Sequence, residues 1–167
     1  MFNPKRIGHS VCRVTLLGAL LFATQAHAQT FQGTASVIDG DTLEIHGTRL
    51  RLEGIDAPET SQNCYDSNGE AWRCGQAAAL ALDEFIARRP VRCVAVNQDR
   101  YGRYIANCYL DGTDLSAVLV ASGLAVAYRK YSTRYIADED RARASVEGIW
   151  NGAFVMPWEW RRGVRLP

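Results

Sequence analysis

Two acidic clusters lie close together in the chain, "IDGDT" at 38–42 and "GIDAPE" at 54–59, with arginines between and beyond them. Each cluster sits where an extended run ends and the chain turns, so its carboxylates can converge without being buried unpaired. Ligands that are all oxygen select hard cations, calcium or magnesium, over zinc. Two carboxylates and a backbone carbonyl would hold Ca²⁺ and leave the remaining positions to water. A neighbouring glutamate would then orient or deprotonate a water. Arg51, in "RLRLEG", and Arg103, in "DRYGR", carry the forked donors that grip a phosphoryl group as negative charge grows on it. The bland alternative is a set of Asx-turn aspartates with surface salt bridges. "DGDT" alone supports no more than that, because Asp-Gly is an ordinary turn.

Other chemistries are short of parts. Past residue 28 the one histidine is His46, in a turn, so a Ser-His-Asp triad or a two-histidine mechanism lacks its proton carrier. There is no G-x-x-x-x-G-K-[ST] phosphate loop. Carboxylate, arginine and tyrosine chemistry is what remains.

Residues 1–28 read as a secretory signal peptide: Lys5, Arg6 and Arg13, then a short apolar run over 14–23, then Ala26-His27-Ala28. Such a run is too short to span a bilayer, which takes roughly 20 apolar residues. The expectation is an exported protein, periplasmic or secreted, with no membrane segment in its mature form, 29–167. All 18 acids lie after Ala28, whereas 3 of the 19 basic residues lie before it, so the mature chain carries −2. That excludes a basic nucleic-acid coat, and any phosphate recognition must come from a few placed cations. Lys130 is the one lysine among them; the others are arginine.

Four cysteines follow the leader, Cys64, Cys74, Cys93 and Cys108, an even number that argues for disulfides in an exported chain. Four cysteines allow three pairings, and the sequence alone does not choose. Local pattern favours one: "VRCVAV" and "YIANCYL" flank the tight "QDRYGR" turn, and hairpin pairing sets Cys93 opposite Cys108. Cys64 and Cys74 are then left to each other. A zinc site is disfavoured by the absence of any C-x₂-C pair.

The elements that must position these residues are short. Strands are predicted over 31–38, over "TLEI", and over "TRLRLEGI", the last two joined by His46-Gly47. In the third, Leu50, Leu52 and Gly54 face one way and Arg49, Arg51 and Glu53 the other. A loop precedes a helix from about Ala71 to Ala87 that offers Leu80, Leu82, Phe85 and Ile86 for burial and stops at Pro90. The Cys93/Cys108 hairpin, a helix over 115–121, a brief extended "LAVAY" and a helix within 135–148 follow. The tail "IWNGAFVMPWEWRRG" holds three tryptophans and reads as a lid on the core. Five strands with a helix after the third predict a five-stranded OB-fold barrel with three α-helices.

"VIDGDTL", "RLRLEGIDAPE", "CGQAA", "DRYGR" and "GLAVAY", in this order, closely resemble the thermonuclease family, the staphylococcal-nuclease-like domains. The resemblance covers about 31–163. It implies an OB barrel with three helices and Ca²⁺-dependent hydrolysis of DNA and RNA with little sequence preference, leaving 3′-phosphorylated ends. It makes Asp41 and Asp56 metal ligands, with the carbonyl of Ala57, a position often threonine elsewhere. Asp39 becomes an acid near the metal but not a ligand. Glu59 becomes the catalytic glutamate, as general base or as a group that only positions water. Arg51 and Arg103 become the phosphate-binding arginines, Tyr101 the tyrosine of the arginine turn, and Tyr128 the one that packs on nucleotide. Arg100 stands where the staphylococcal form carries a lysine, and Tyr131 is one or two positions off a second nucleotide-packing tyrosine. A monomer is the family default. A nuclease-like OB module that binds nucleic acid or a protein without cutting is the alternative.

Overall fold

A computed structural model describes residues 29–166. The leader assigned to 1–28 therefore lies outside the described residues. The chain opens with β1 (Thr30–Thr34), β2 (Ser36–Asp39), β3 (Thr42–Ile45) and β4 (Thr48–Leu52), followed by the short β5 (Ile55–Asp56), β6 (Cys64–Tyr65) and β7 (Ala71–Trp72). Helix α1 (Cys74–Ile86) leads into the long hairpin β8 (Pro90–Gln98) and β9 (Tyr104–Leu110). Then come β10 (Thr113–Asp114), α2 (Leu115–Ala121), β11 (Val126–Ala127), α3 (Ile136–Ala144), a 3₁₀ turn (Gly148–Asn151) and α4 (Pro157–Arg161).

The main sheet runs β1-β8-β9-β4-β3-β2, with β10 added beside β9, and β4 and β9 pair in parallel. Chain-neighbours β1 and β2 occupy opposite ends of this order, separated by the buried Ala35. The sheet must therefore curl, and Gly33 of β1 lies against Ile45 and His46 of the β3–β4 hairpin. This corrects the expected five-strand, three-helix count. The first predicted strand bends at Ala35 and pairs as two, while Thr113–Asp114 adds a further edge. The fourth helix forms in the tryptophan-rich tail, where Pro157 supplies a preset φ at the first turn.

Alternation organises the inner face. Leu50 and Leu52 are buried while Arg49 is exposed and Arg51 half-buried. His46 and Gly47 both take positive φ, as a two-residue hairpin turn whose twist matches its strands demands. Helix α1 differs from its prediction at two points. It begins at Cys74 rather than Ala71, because Ala71–Trp72 pairs with Cys64–Tyr65 as a small ribbon. Leu82 and Ile86 enter the core, but Leu80 points outward and is exposed. The helix ends where Ala87 and Arg88 take left-handed φ; the Arg89 guanidinium donates to the carbonyls of Phe85 and Ile86, the latter also accepting the Arg89 amide. Among the described residues no helix is long and apolar enough to cross a membrane.

Two disulfides close the frame, Cys64–Cys74 and Cys93–Cys108. The second joins directly opposed residues of β8 and β9 across a separation of 15 residues. On the chain-entropy account a loop of that size contributes about 3 kcal/mol. Cys93→Ala/Cys108→Ala is accordingly expected to lose about that much stability by urea unfolding with Cys64–Cys74 intact. An unchanged midpoint would show that the hairpin is already held in the unfolded chain.

Candidate functional site

The turn between β2 and β3 carries Asp39 and Asp41. Asp39 accepts the Asp41 amide at 3.0 Å, and the Asp41 carbonyl accepts the Leu52 amide at 2.8 Å, which sets this turn beside the end of β4. There the chain passes through β5 and delivers Asp56. Asp41 is 4% exposed and Asp56 is fully buried. Their carboxylates converge on a single nitrogen, Arg51 Nη2, at 2.8 and 2.7 Å. Alternation along β4 turns Arg51 away from the core and toward these acids.

Electrostatics follow from the burial. Loss of water pushes the Asp41 carboxyl up to about 7; Arg51 pulls it down, and Asp39 and Asp56 add to the rise. Burial works against the charge of Arg51, but Asp41 and Asp56 outweigh it and hold the guanidinium above its ordinary value.

Glu59 stands on the loop after β5, and its backbone is fixed from two sides. Buried Gln62 donates its own amide to the Glu59 carbonyl at 2.7 Å and accepts the Glu59 amide at 3.2 Å on Oε1. On the other side lies the start of α1. A Cβ placed on Gly75 would sit 1.7 Å from the Glu59 carbonyl oxygen, so only glycine lets helix and loop touch. Gly40 plays the same part between the first acidic turn and α1, where a Cβ would meet Ala57 and Ala78 at 2.7 and 2.8 Å. Gly75→Ala is expected to displace the Glu59 backbone and cost ~1–3 kcal/mol, as overpacking does. A variant of wild-type stability would show that this loop yields freely.

Arg103 reaches the site from the β8–β9 turn. Asp99 organises that turn, accepting the amides of Tyr101 and Arg103 on one oxygen and Arg103 Nε on the other at 2.8 Å. Partial burial works to raise the Asp99 carboxyl, but these donors outweigh it and hold the carboxyl below its usual range. Tyr101 is 70% exposed, with the Arg100 and Arg103 guanidinium groups over its ring at 4.9 and 5.8 Å. Tyr128 follows β11, which is pinned by buried Glu139 accepting the Ala127 amide at 3.0 Å. The Tyr128 ring stacks on Trp158 at 5.3 Å and meets the edge of Tyr131 at 4.8 Å.

Asp41, Arg51, Ala57, Glu59, Arg100, Tyr101, Arg103 and Tyr128 line one cleft of about 1080 Å³, with Asp56 directly beneath Arg51. Three further residues line it that the sequence reading left in a core lid: Trp158, Arg161 and Arg162. Arg161 donates to both oxygens of Asp56, at 3.1 and 2.6 Å, and to Glu59 at 2.6 Å. The available signal was "PWEWRR", a proline start followed by Trp158, Arg161 and Arg162 at i, i+3 and i+4, one helical face. The lid reading still describes Trp150 and Phe154, which pack with Cys64–Cys74 in a second apolar cluster.

The donors suit a hard cation in kind. Two buried carboxylates already meet on one cationic nitrogen, and every side-chain donor is oxygen. Among the described residues no three His, Cys, Asp or Glu side chains are grouped to hold a metal, so backbone and water would have to complete the set.

Comparison with known proteins shows the family. A family model described as "Staphylococcal nuclease homologue" matches residues 49–152. The chain belongs to that family. It is 42% identical over 155 residues to the "Succinoglycan biosynthesis protein ExoI" of Rhizobium meliloti (strain 1021), covering 89% of this chain and 81% of the relative. An "Uncharacterized endonuclease" of Escherichia coli O157:H7 is 32% identical over 133 residues, 75% of this chain and 80% of that one. A "Micrococcal nuclease" of Shigella flexneri is 30% identical over 161 residues, 86% and 87% of the two chains. In this nuclease homologue the matched segment ends at residue 152, before α4 and the residues α4 brings to the cleft.

Proposed function

We propose that this chain is a calcium-dependent phosphodiesterase that hydrolyses DNA and RNA with little sequence preference and leaves 3′-phosphorylated ends. The observation that carries the reading is the convergence of Arg51, Glu59 and Arg103 on one cleft above two buried aspartates. The carboxylates of Asp41 and Asp56 and the carbonyl of Ala57 would hold Ca²⁺, which when bound supplies Lewis-acid polarisation of the phosphoryl group.

The chain's own groups do the rest. Arg51, aimed by its two aspartates, and Arg103, aimed by Asp99, neutralise the charge that gathers on phosphoryl oxygens during attack. Glu59, with about a third of its side chain exposed, holds or removes a proton of the attacking water. The water oxygen bonds to phosphorus, the P–O5′ bond breaks, and O5′ leaves as a hydroxyl after taking up a proton. Tyr101 offers an open ring on which a base stacks, backed by Arg100. Tyr128 is already faced by Trp158, so it meets a nucleotide as part of a stacked pair. A mature chain of 29–167, exported to the periplasm or beyond and acting as a monomer, completes the proposal.

A second reading, a nucleic-acid- or protein-binding module that does not cut, is favoured by two observations. Among the described residues no grouped metal-ligand trio exists, and Asp56 and Glu59 are both engaged by Arg161. A relative named for succinoglycan biosynthesis agrees with roles other than nuclease. Denatured DNA incubated with the oxidised protein, with calcium and with a chelator, separates the two. Calcium-dependent shortening is the expected result; binding without cutting, indifferent to calcium, would favour the module.

A further inference from the structure

Helix α4 is fixed to the rest of the molecule rather than lying loosely over the cleft. Val155 and Pro157 are buried, Gln62 Nε2 donates to the Val155 carbonyl at 2.6 Å, and Trp158 stacks on Tyr128. Arg161 therefore reaches Asp56 and Glu59 from an anchored base. Its fork spans the two acids: Nη1 lies 2.6 Å from Glu59 Oε1 and 3.1 Å from Asp56 Oδ1, and Nη2 lies 2.6 Å from Asp56 Oδ2. With Arg51 also on Oδ1 at 2.7 Å, both oxygens of Asp56 are engaged by guanidinium groups. The Glu59 oxygen that holds Arg161 has one of its lone pairs taken, so the pairing competes with a water for that oxygen.

We infer that Arg161 is an internal counter-cation of this site, exchanging with the divalent metal for Asp56 and releasing Glu59 as it does so. This positioning role rests on reading the cleft as a cation site. With Arg161 seated, the two acids share its single positive charge, and Asp56 is buried beneath it. With Arg161 displaced, Asp56 has an oxygen free for a hard cation, Glu59 is free for water, and the guanidinium stays on the cleft wall beside Arg162, facing an anionic substrate. The lining thus gains a cation for the phosphodiester at the moment its acids are needed elsewhere.

The test is calcium affinity, measured by isothermal titration of the oxidised chain and of Arg161→Ala, with circular dichroism to verify folding. Calcium should bind Arg161→Ala at least about tenfold more tightly, since each charge-assisted bond it no longer has to break is worth that factor or more. Arg161→Lys, which keeps the charge but loses the fork, should fall between. Equal or weaker binding by Arg161→Ala, with wild type binding normally, would overturn the exchange and leave the cation site standing. Calcium binding by neither protein would overturn the cation site and the exchange together. A merely structural role for Arg161 would lower affinity on removal, opposite to the expected sign.

Discussion

Arg51→Ala is expected to abolish measurable cutting and also to leave a protein barely stable in chelator. The activity loss follows from the lost clamp, at least ~10²–10³ in rate for a donor aimed at transition-state charge. The stability loss follows from the geometry. Arg51 Nη2 is shared by Asp41 and Asp56, and neither carboxylate has more than marginal access to water. Removing one partner of a buried pair typically costs ~3–5 kcal/mol, because the carboxyl left behind must either stay charged in a dry site or take up a proton. Asp56 would retain Arg161, whereas Asp41 would keep only the Thr42 hydroxyl and the Ala57 amide. Arg51→Ala/Asp41→Asn should therefore regain part of the lost stability in urea unfolding while staying inactive. If Arg51→Ala alone unfolds like wild type, the arginine is a substrate clamp with no structural part.

Glu59→Ala should lose activity on the same scale, ~10²–10³ or more, with little effect on the fold. Unlike Asp41 and Asp56, Glu59 keeps part of its side chain in water, and its backbone is held by Gln62 and Gly75 whatever the side chain is. The variant should bind denatured DNA as tightly as wild type or more tightly, since it removes a negative charge from the cleft. Normal turnover by folded Glu59→Ala would remove Glu59 from the mechanism and leave its pairing with Arg161 as its one visible role.

Much of this arrangement is legible in the sequence where a local rule decides. Period-two alternation placed Leu50 and Leu52 inward and Arg51 outward, and His46-Gly47 formed the hairpin turn that its residue types suggest. The Asp114 side chain caps α2 through the amides of Ser116 and Ala117, so the boundary at Leu115 was a local matter too. What was not legible depends on distant pairing. Ala71–Trp72 has helix-compatible residues, yet strand pairing with Cys64–Tyr65 takes it out of α1. Leu80 looked like a core residue on composition, but only the orientation of α1 on the sheet decides which apolar side chains turn inward. Gln62 and Arg161 reach across 93 and 105 residues to Val155 and Asp56. No spacing rule reports such contacts. The motif glycines show the same limit: Gly40 reads as an ordinary turn residue and Gly75 carries no local signal, whereas the structure requires both because side chains and backbone approach too closely for a Cβ.

The central claim is hydrolysis at phosphorus in this cleft, and isotope-labelled water tests it most directly. An oligonucleotide of DNA would be digested by the oxidised protein with calcium in ¹⁸O-water, and the fragments weighed by mass spectrometry. Fragments ending in a 3′-phosphate that carries one heavy oxygen, absent when a chelator replaces calcium, are the expected result. Intact oligonucleotide recovered from a folded protein that binds both DNA and calcium would contradict the account.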